Sequence, residues 1–158
     1  MKVECPALDP GKRIPVRYAR KGVSGGANIS LPVVWSDPPV GTASYVLTII
    51  DRHPIARNWV HWYVVDIPPA VESIPESASG SPRLLPGGAI ELRNTFGEGG
   101  YGGPEPPKGS GTHAYEISVH ALRVGSLGLG SRSSASECDR AMKGNVLATA
   151  TVTGLFER

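Results

Sequence analysis

Three of the four histidines stand where they could share chemistry with carboxylates. Asp51 closes an apolar run, His53 and His61 follow it, and His113 and Tyr115 open a later one. Imidazoles that titrate near neutral pH, a carboxylate and a phenol can together donate to an anion or move protons on a small substrate. Between these groups and in sequence just before His113 lies a segment of unusual composition, Asn94–Tyr115 (NTFGEGGYGGPEPPKGSGTHAY). Its glycines and prolines exclude a helix or a central strand, while its acids and aromatics argue against a passive linker. Consecutive glycine N–H groups can form a concave nest for phosphate or carboxylate oxygens. The expectation is therefore a small polar pocket in which Asp51, His61, His113 and Tyr115 converge at one rim over the glycine nest. A corner-turning loop and singly buried histidines are the bland alternatives. Two histidines with a carboxylate also suit a metal ion, but their spacing carries no metal signature, so neither a metal nor a cofactor is expected.

Elements must bring these residues together. Tyr45–Asp51 is a nearly continuous apolar, β-branched run, the pattern of a strand buried on both faces. Trp59–Asp66 reads as a second such strand. The short connection predicts an antiparallel pair that sets Asp51 near His61. A strand from His113 to Arg123 places His113 and Tyr115 on one face and His120 on the other. Trp59 and Trp62 read as core and pocket wall. Ile14–Tyr18 alternates and is predicted as an edge strand, Leu31–Trp35 as a short extended piece, Ala89–Arg93 as a short strand and Ala150–Phe156 as the last one. Residues 70–88 are predicted as loop. Ser134–Glu137 carries a capping box, with Cys138, Met142 and Val146 at helical spacing behind it.

The 158 residues suit one domain with its own core. A net charge of +2, with no basic run, gives no reason to expect a nucleic-acid partner. No segment has the length of a transmembrane helix and the N-terminus has no apolar signal core, so a cytoplasmic protein is expected. Two cysteines, Cys5 and Cys138, leave pairing open. An exposed edge strand would permit a homodimer.

Taken in order, these residues resemble the phosphatidylethanolamine-binding protein family, and specifically its bacterial and archaeal Raf-kinase-inhibitor-like branch. Val60-His61-Trp62 with Val65-Asp66-Ile67-Pro68 is similar to the family's HW strand. Phe96-Gly97 and Gly100–Pro107 resemble its FG..GYGGPxPP loop, and Thr112–Tyr115 its HRY motif. Asn28–Pro32 with Trp35 resembles its N-terminal segment, and Ala141–Ala148 its last helix. The resemblance implies a mainly β fold of two antiparallel sheets with a C-terminal helix and few other short helices. It also implies a pocket for phosphate, phosphorylated head groups, acetate or nucleotides, built on residue matching by Asp51, His61, the turn of Gly103, Glu105, Pro106 and Pro107, His113 and Tyr115.

Four positions depart from the family's pattern. His53 replaces the second acid of the family's DPDAP motif, Ala114 replaces the HRY arginine, Glu105 stands where bacterial relatives carry a small residue or Cys, and Asn145 replaces a helix His. A non-catalytic protein binding a small anionic or phosphorylated molecule is the first reading. The alternative is a cofactor-independent lyase, isomerase or cyclase using His53, Asp51 and His113 as acid–base groups. Kinase or protease inhibition, known among relatives, has the least support in this chain.

Overall fold

The computed structural model describes residues 1–158. Eight strands and one α-helix follow in order: β1 (Lys2–Glu4), β2 (Val33–Ser36), β3 (Ser44–Asp51), β4 (Trp59–Ile67), β5 (Ser73–Ile74), β6 (Ile90–Glu91), β7 (His113–Leu122), α1 (Ala135–Met142) and β8 (Val146–Phe156). They form two antiparallel sheets, β1-β2-β5 and β6-β4-β3-β7-β8. The mainly β architecture expected from the sequence is therefore present.

β3 is the centre of the larger sheet, and all eight of its residues are buried. Its apolar run is explained by that position, with a packed layer on each side. One layer is the main core between the two sheets, which includes Trp35, Tyr45, Leu47, Ile49, Trp62 and Ile117. The other lies on the opposite face, where Val46, Ile50, Tyr63 and Val65 meet Cys138 and Met142 of α1. The helix begins with the predicted capping box: the Glu137 N–H donates to Ser134 Oγ, and the Ser134 N–H donates to the Glu137 carboxylate. Val146 does not continue it. Gly144, at φ +80°, turns the chain out of the helix, and β8 starts four residues earlier than Ala150.

Ile14–Tyr18 is not an edge strand. Val16–Tyr18 is a 3₁₀ helix entered from Pro15. Ile14 and Tyr18 are buried while Val16 is 44% exposed, so the three apolar residues do not share the one face that a strand would give them. β2 starts at Val33, just after Pro32, whose nitrogen has no proton to give a ladder. β6 is confined to two residues of the predicted Ala89–Arg93 strand. Two strands, β1 and β5, went unpredicted, β5 inside the expected 70–88 loop. Each is three residues or fewer and exists through its partner β2.

The free cysteines sit in different cores, Cys5 between the sheets and Cys138 under α1. They do not pair. No helix is long and apolar enough to cross a membrane.

Candidate functional site

The ends of three adjacent strands meet at one rim. Asp51 is the last residue of β3 and stands opposite Trp59 of β4 and Tyr115 of β7. Cross-strand partners share a face, so these three side chains project to the same side. Next to them the pairing of β3 with β4 slips: Ile50 faces Val60, while Ile49 faces Trp62. His61 is the extra residue of this bulge. As a result the neighbours His61 and Trp62 both turn toward the inter-sheet side, one to the rim and one to the core. A regular strand would have sent them to opposite faces.

The rim surrounds a cavity of about 260 Å³, lined by Asp51, Trp59, His61, Phe96, Glu105 and His113 with Tyr115, Pro106, Pro107, Ile55 and Ala56. Of the residues expected from the sequence, Asp51, His61, Glu105, Pro106, Pro107, His113 and Tyr115 line it. His53 and Gly103 do not. The His53 ring instead stacks on His113, with centroids 3.9 Å apart, and its Nδ1 accepts from the Ile55 N–H at the start of the 3₁₀ helix Pro54–Ala56.

His113 is tied on both sides. Its Nδ1 lies 2.6 Å from Asp51 Oδ2, and its Nε2 lies 2.9 Å from Ser110 Oγ, which donates to the Pro107 carbonyl. The other Asp51 oxygen accepts from the His53 N–H. With both ring nitrogens engaged, His113 has no free position from which to move a ligand proton. It acts as an anchor for Asp51 and for the Pro107–Ser110 turn.

His61 differs. Its Nδ1 is 2.6 Å from the Gly102 carbonyl oxygen, which can only accept, so Nδ1 carries the proton. Nε2 makes no hydrogen bond within the chain and, in the neutral ring, presents a lone pair. Burial drives the imidazole down to about 4, against weaker opposite pulls from the Gly102 carbonyl and Asp51. The Tyr115 hydroxyl, on a side chain only 1% exposed, has no hydrogen-bond partner; the Trp59 indole N–H is equally orphaned. Burial first and the nearby Asp51 second hold the Tyr115 phenol in its protonated form, a donor. The Asp51 carboxylate is near enough to act on the phenol, but the two make no hydrogen bond of standard length and angle.

The glycine segment does not form the expected nest. The Gly100 N–H goes to the Leu92 carbonyl, Tyr101 to Ser79 Oγ, Gly102 to the His61 carbonyl and Gly103 to Asn28 Oδ1. These donors are consumed by the fold because the loop is packed against the core. A Cβ on Gly103 would stand 2.0 Å from the Tyr18 carbonyl oxygen. Gly103 is there for close approach, and Asn28 is the clamp that sequence reasoning recognised only as part of a motif. Further along, the Glu105 N–H donates to no group of the chain.

The carboxylate of Glu105 turns away from a bare position at the rim. It lies 3.1 Å from Arg20 Nε and 3.6 Å from Arg158 Nη1. Arg20 also pairs with Glu98 and covers the Phe96 ring at 4.0 Å. Beside the His53 and Ala114 positions, Arg52 Nε donates to Glu116 Oε2 at 2.6 Å, and the Arg52 N–H donates to the Ala114 carbonyl. No Lys or Arg lines the cavity. Trp59, expected as core or pocket wall, lines the cavity. Phe96 in the lining, and Ser110 and Asn28 behind it, were left out of the expected site, Phe96 and Asn28 having entered only as parts of family motifs.

Comparisons with known proteins agree with this fold. The family described as phosphatidylethanolamine-binding protein matches residues 4–157. The UPF0098 protein YbhB of Escherichia coli is 34% identical over 158 residues, covering 99% of each chain. A UPF0098 protein of the archaeon Methanothermobacter thermautotrophicus is 34% identical over 100% of this chain and 99% of its own. The crystal structure of Escherichia coli YbcL, described as a new member of the mammalian PEBP family, superposes with a TM-score of 0.91 at 34% identity, covering 99% of this chain and 98% of that one. The chain belongs to the phosphatidylethanolamine-binding protein family, in the branch that holds these bacterial and archaeal proteins.

Proposed function

We propose that this protein binds a small molecule through an anionic phosphate or carboxylate head group seated between Tyr115, His61 and Glu105. The observation that carries this reading is the Tyr115 hydroxyl, a buried donor without an acceptor. An unsatisfied buried polar group costs about 1–3 kcal/mol, and a ligand oxygen would recover it. The Trp59 N–H and the Glu105 N–H add two donors of the same sign.

Size and lining limit the ligand. A cavity of about 260 Å³ lies below the usual ~300–1,000 Å³ of drug-sized sites. It suits a head group with a small substituent lying against Trp59, Phe96, Pro106 and Pro107. The family description, which names a phosphorylated head group, is consistent with this class.

The test is thermal unfolding of the wild-type chain and Tyr115→Phe with phosphate, phosphoethanolamine, acetate, citrate and nucleotides. A ligand at 100 times its Kd adds about 2.7 kcal/mol, or roughly 5–11 °C for a domain of this size. Tyr115→Phe keeps the ring and removes only the donor, so its own stability should hold or rise while the ligand shift shrinks. A wild-type chain that no anion stabilises, or a full shift retained in Tyr115→Phe, would reject the reading.

A further inference from the structure

We propose that the cavity holds its anion together with one proton, shared between His61 Nε2 and a ligand oxygen, so that it accepts a monoprotonated phosphomonoester and rejects the sulfate ester of the same shape. This deepens the anion-binding reading above and rests on it.

The argument starts from the donor and acceptor inventory of the lining. Tyr115 Oη–H, Trp59 Nε1–H and the Glu105 N–H ask for acceptors. Two groups ask for the reverse. His61 Nε2 is a lone pair, because the Gly102 carbonyl 2.6 Å away fixes the proton on Nδ1. The Asp51 carboxylate is an acceptor held in place by His113 and the His53 N–H. An anion made only of acceptor oxygens would satisfy the first set and confront the second. A phosphomonoester monoanion offers both kinds of atom on one tetrahedral head: two oxygens to accept and one P–O–H to donate. A sulfate monoester has the same charge and shape and no proton to give.

Charge leads to the same conclusion. No Lys or Arg lines the cavity, and Arg20 and Arg158, the cations at Glu105, are turned toward Glu98 and Glu105. The groups that face His61 are Asp51 from β3, Tyr115 and His113 from β7, Glu105 and Phe96 from the loop, and Arg20 beyond them. A dianion beside Asp51 would meet repulsion with no countercharge in the lining; protonation removes half of its charge. Burial keeps the His61 imidazole neutral well below pH 6, so between pH 6 and 8 the shared proton comes with the ligand or is taken up as it binds.

Titration calorimetry of the intact wild-type chain with phenyl phosphate and phenyl sulfate tests this. The second ionisation of a phosphomonoester lies near pH 6, so the monoanion fraction rises from about 1% at pH 8 to about half at pH 6. The Kd for phenyl phosphate should therefore fall by about 50-fold over that interval, with close to one proton taken up per ligand at pH 8 when buffers of different ionisation enthalpy are compared. Phenyl sulfate at pH 6 should bind at least about tenfold more weakly. His61→Gln, which can turn an amide N–H toward the ligand, should bring the two esters to similar affinity. If that variant does not fold, the wild-type comparison decides alone. Equal binding of both esters by the wild type overturns the shared proton and leaves the anion pocket standing. Binding of neither overturns the anion pocket and this proposal with it.

Discussion

Gly103→Ala separates the two roles that a glycine-rich loop can have. If Gly103 exists to expose a backbone N–H, an added methyl is a modest change. If it exists for close packing, the change is severe. The methyl would sit 2.0 Å from the Tyr18 carbonyl oxygen, 2.9 Å from the Ala19 carbonyl carbon and 3.0 Å from Ala19 Cα. All three are backbone atoms, so no side chain can rotate aside. Restoring contact distance requires the loop or the Tyr18–Ala19 segment to move by about 1 Å. Overpacking costs about 1–3 kcal/mol, and this site belongs at the upper end. The same shift stretches the 2.8 Å bond from the Gly103 N–H to Asn28 Oδ1, worth about 1 kcal/mol more. The total of roughly 3–4 kcal/mol corresponds to a Tm lower by about 6–16 °C. Gly99→Ala is the internal control: no atom lies within 4 Å of its added Cβ, and its stability should stay level or rise slightly. Calorimetric or circular-dichroism melts of the three chains give the answer. A Gly103→Ala chain melting within about 2 °C of Gly99→Ala would refute the packing argument.

Two further outcomes follow from the site's electrostatics. His61 is driven down from 6.5 to about 4 in the folded chain, so between those values the unfolded chain binds a proton that the folded one refuses. Stability therefore falls as pH drops from 6.5 to 4, by roughly 3 kcal/mol from this group, and urea titrations of His61→Gln should lose that part of the slope; an unchanged slope would place the proton elsewhere. Glu105→Ala removes a negative charge from the rim and releases Arg20 and Arg158 from it. A unit charge roughly 7 Å away in water is worth about 0.6 kcal/mol, so phosphate should bind about threefold more tightly at low salt, with the gain fading as salt is added. Unchanged affinity at low salt would show that Glu105 does not set the field in the cavity.

Local composition was enough to place the strands that bring the candidate site together. Tyr45–Asp51 had the composition of a strand covered on both sides, and the short Arg52–Asn58 connection left an antiparallel return as the natural partner. Asp51, His61, His113 and Tyr115 could be named from strand ends alone, because strand length and period are local properties. Ser134 and Glu137 announced α1 in the same local way. Other features depend on residues far apart in the chain. β1 and β5 are too short to show a period and form only because β2 offers an edge. Ile14–Tyr18 alternates as a strand would, but the chain buries Ile14 and Tyr18, leaves Val16 outside and turns as a 3₁₀ helix over Val16–Tyr18. The bulge that turns His61 and Trp62 to the same side is a property of how β3 and β4 register. The glycine loop's N–H groups could be assigned only when Asn28, Ser79, Leu92 and the β4 backbone were seen to take them. So could the orphaned Tyr115 hydroxyl and the one-sided His61 ring. A sequence names which groups can donate or accept, but only tertiary packing decides which of them are already satisfied and which are left for a ligand.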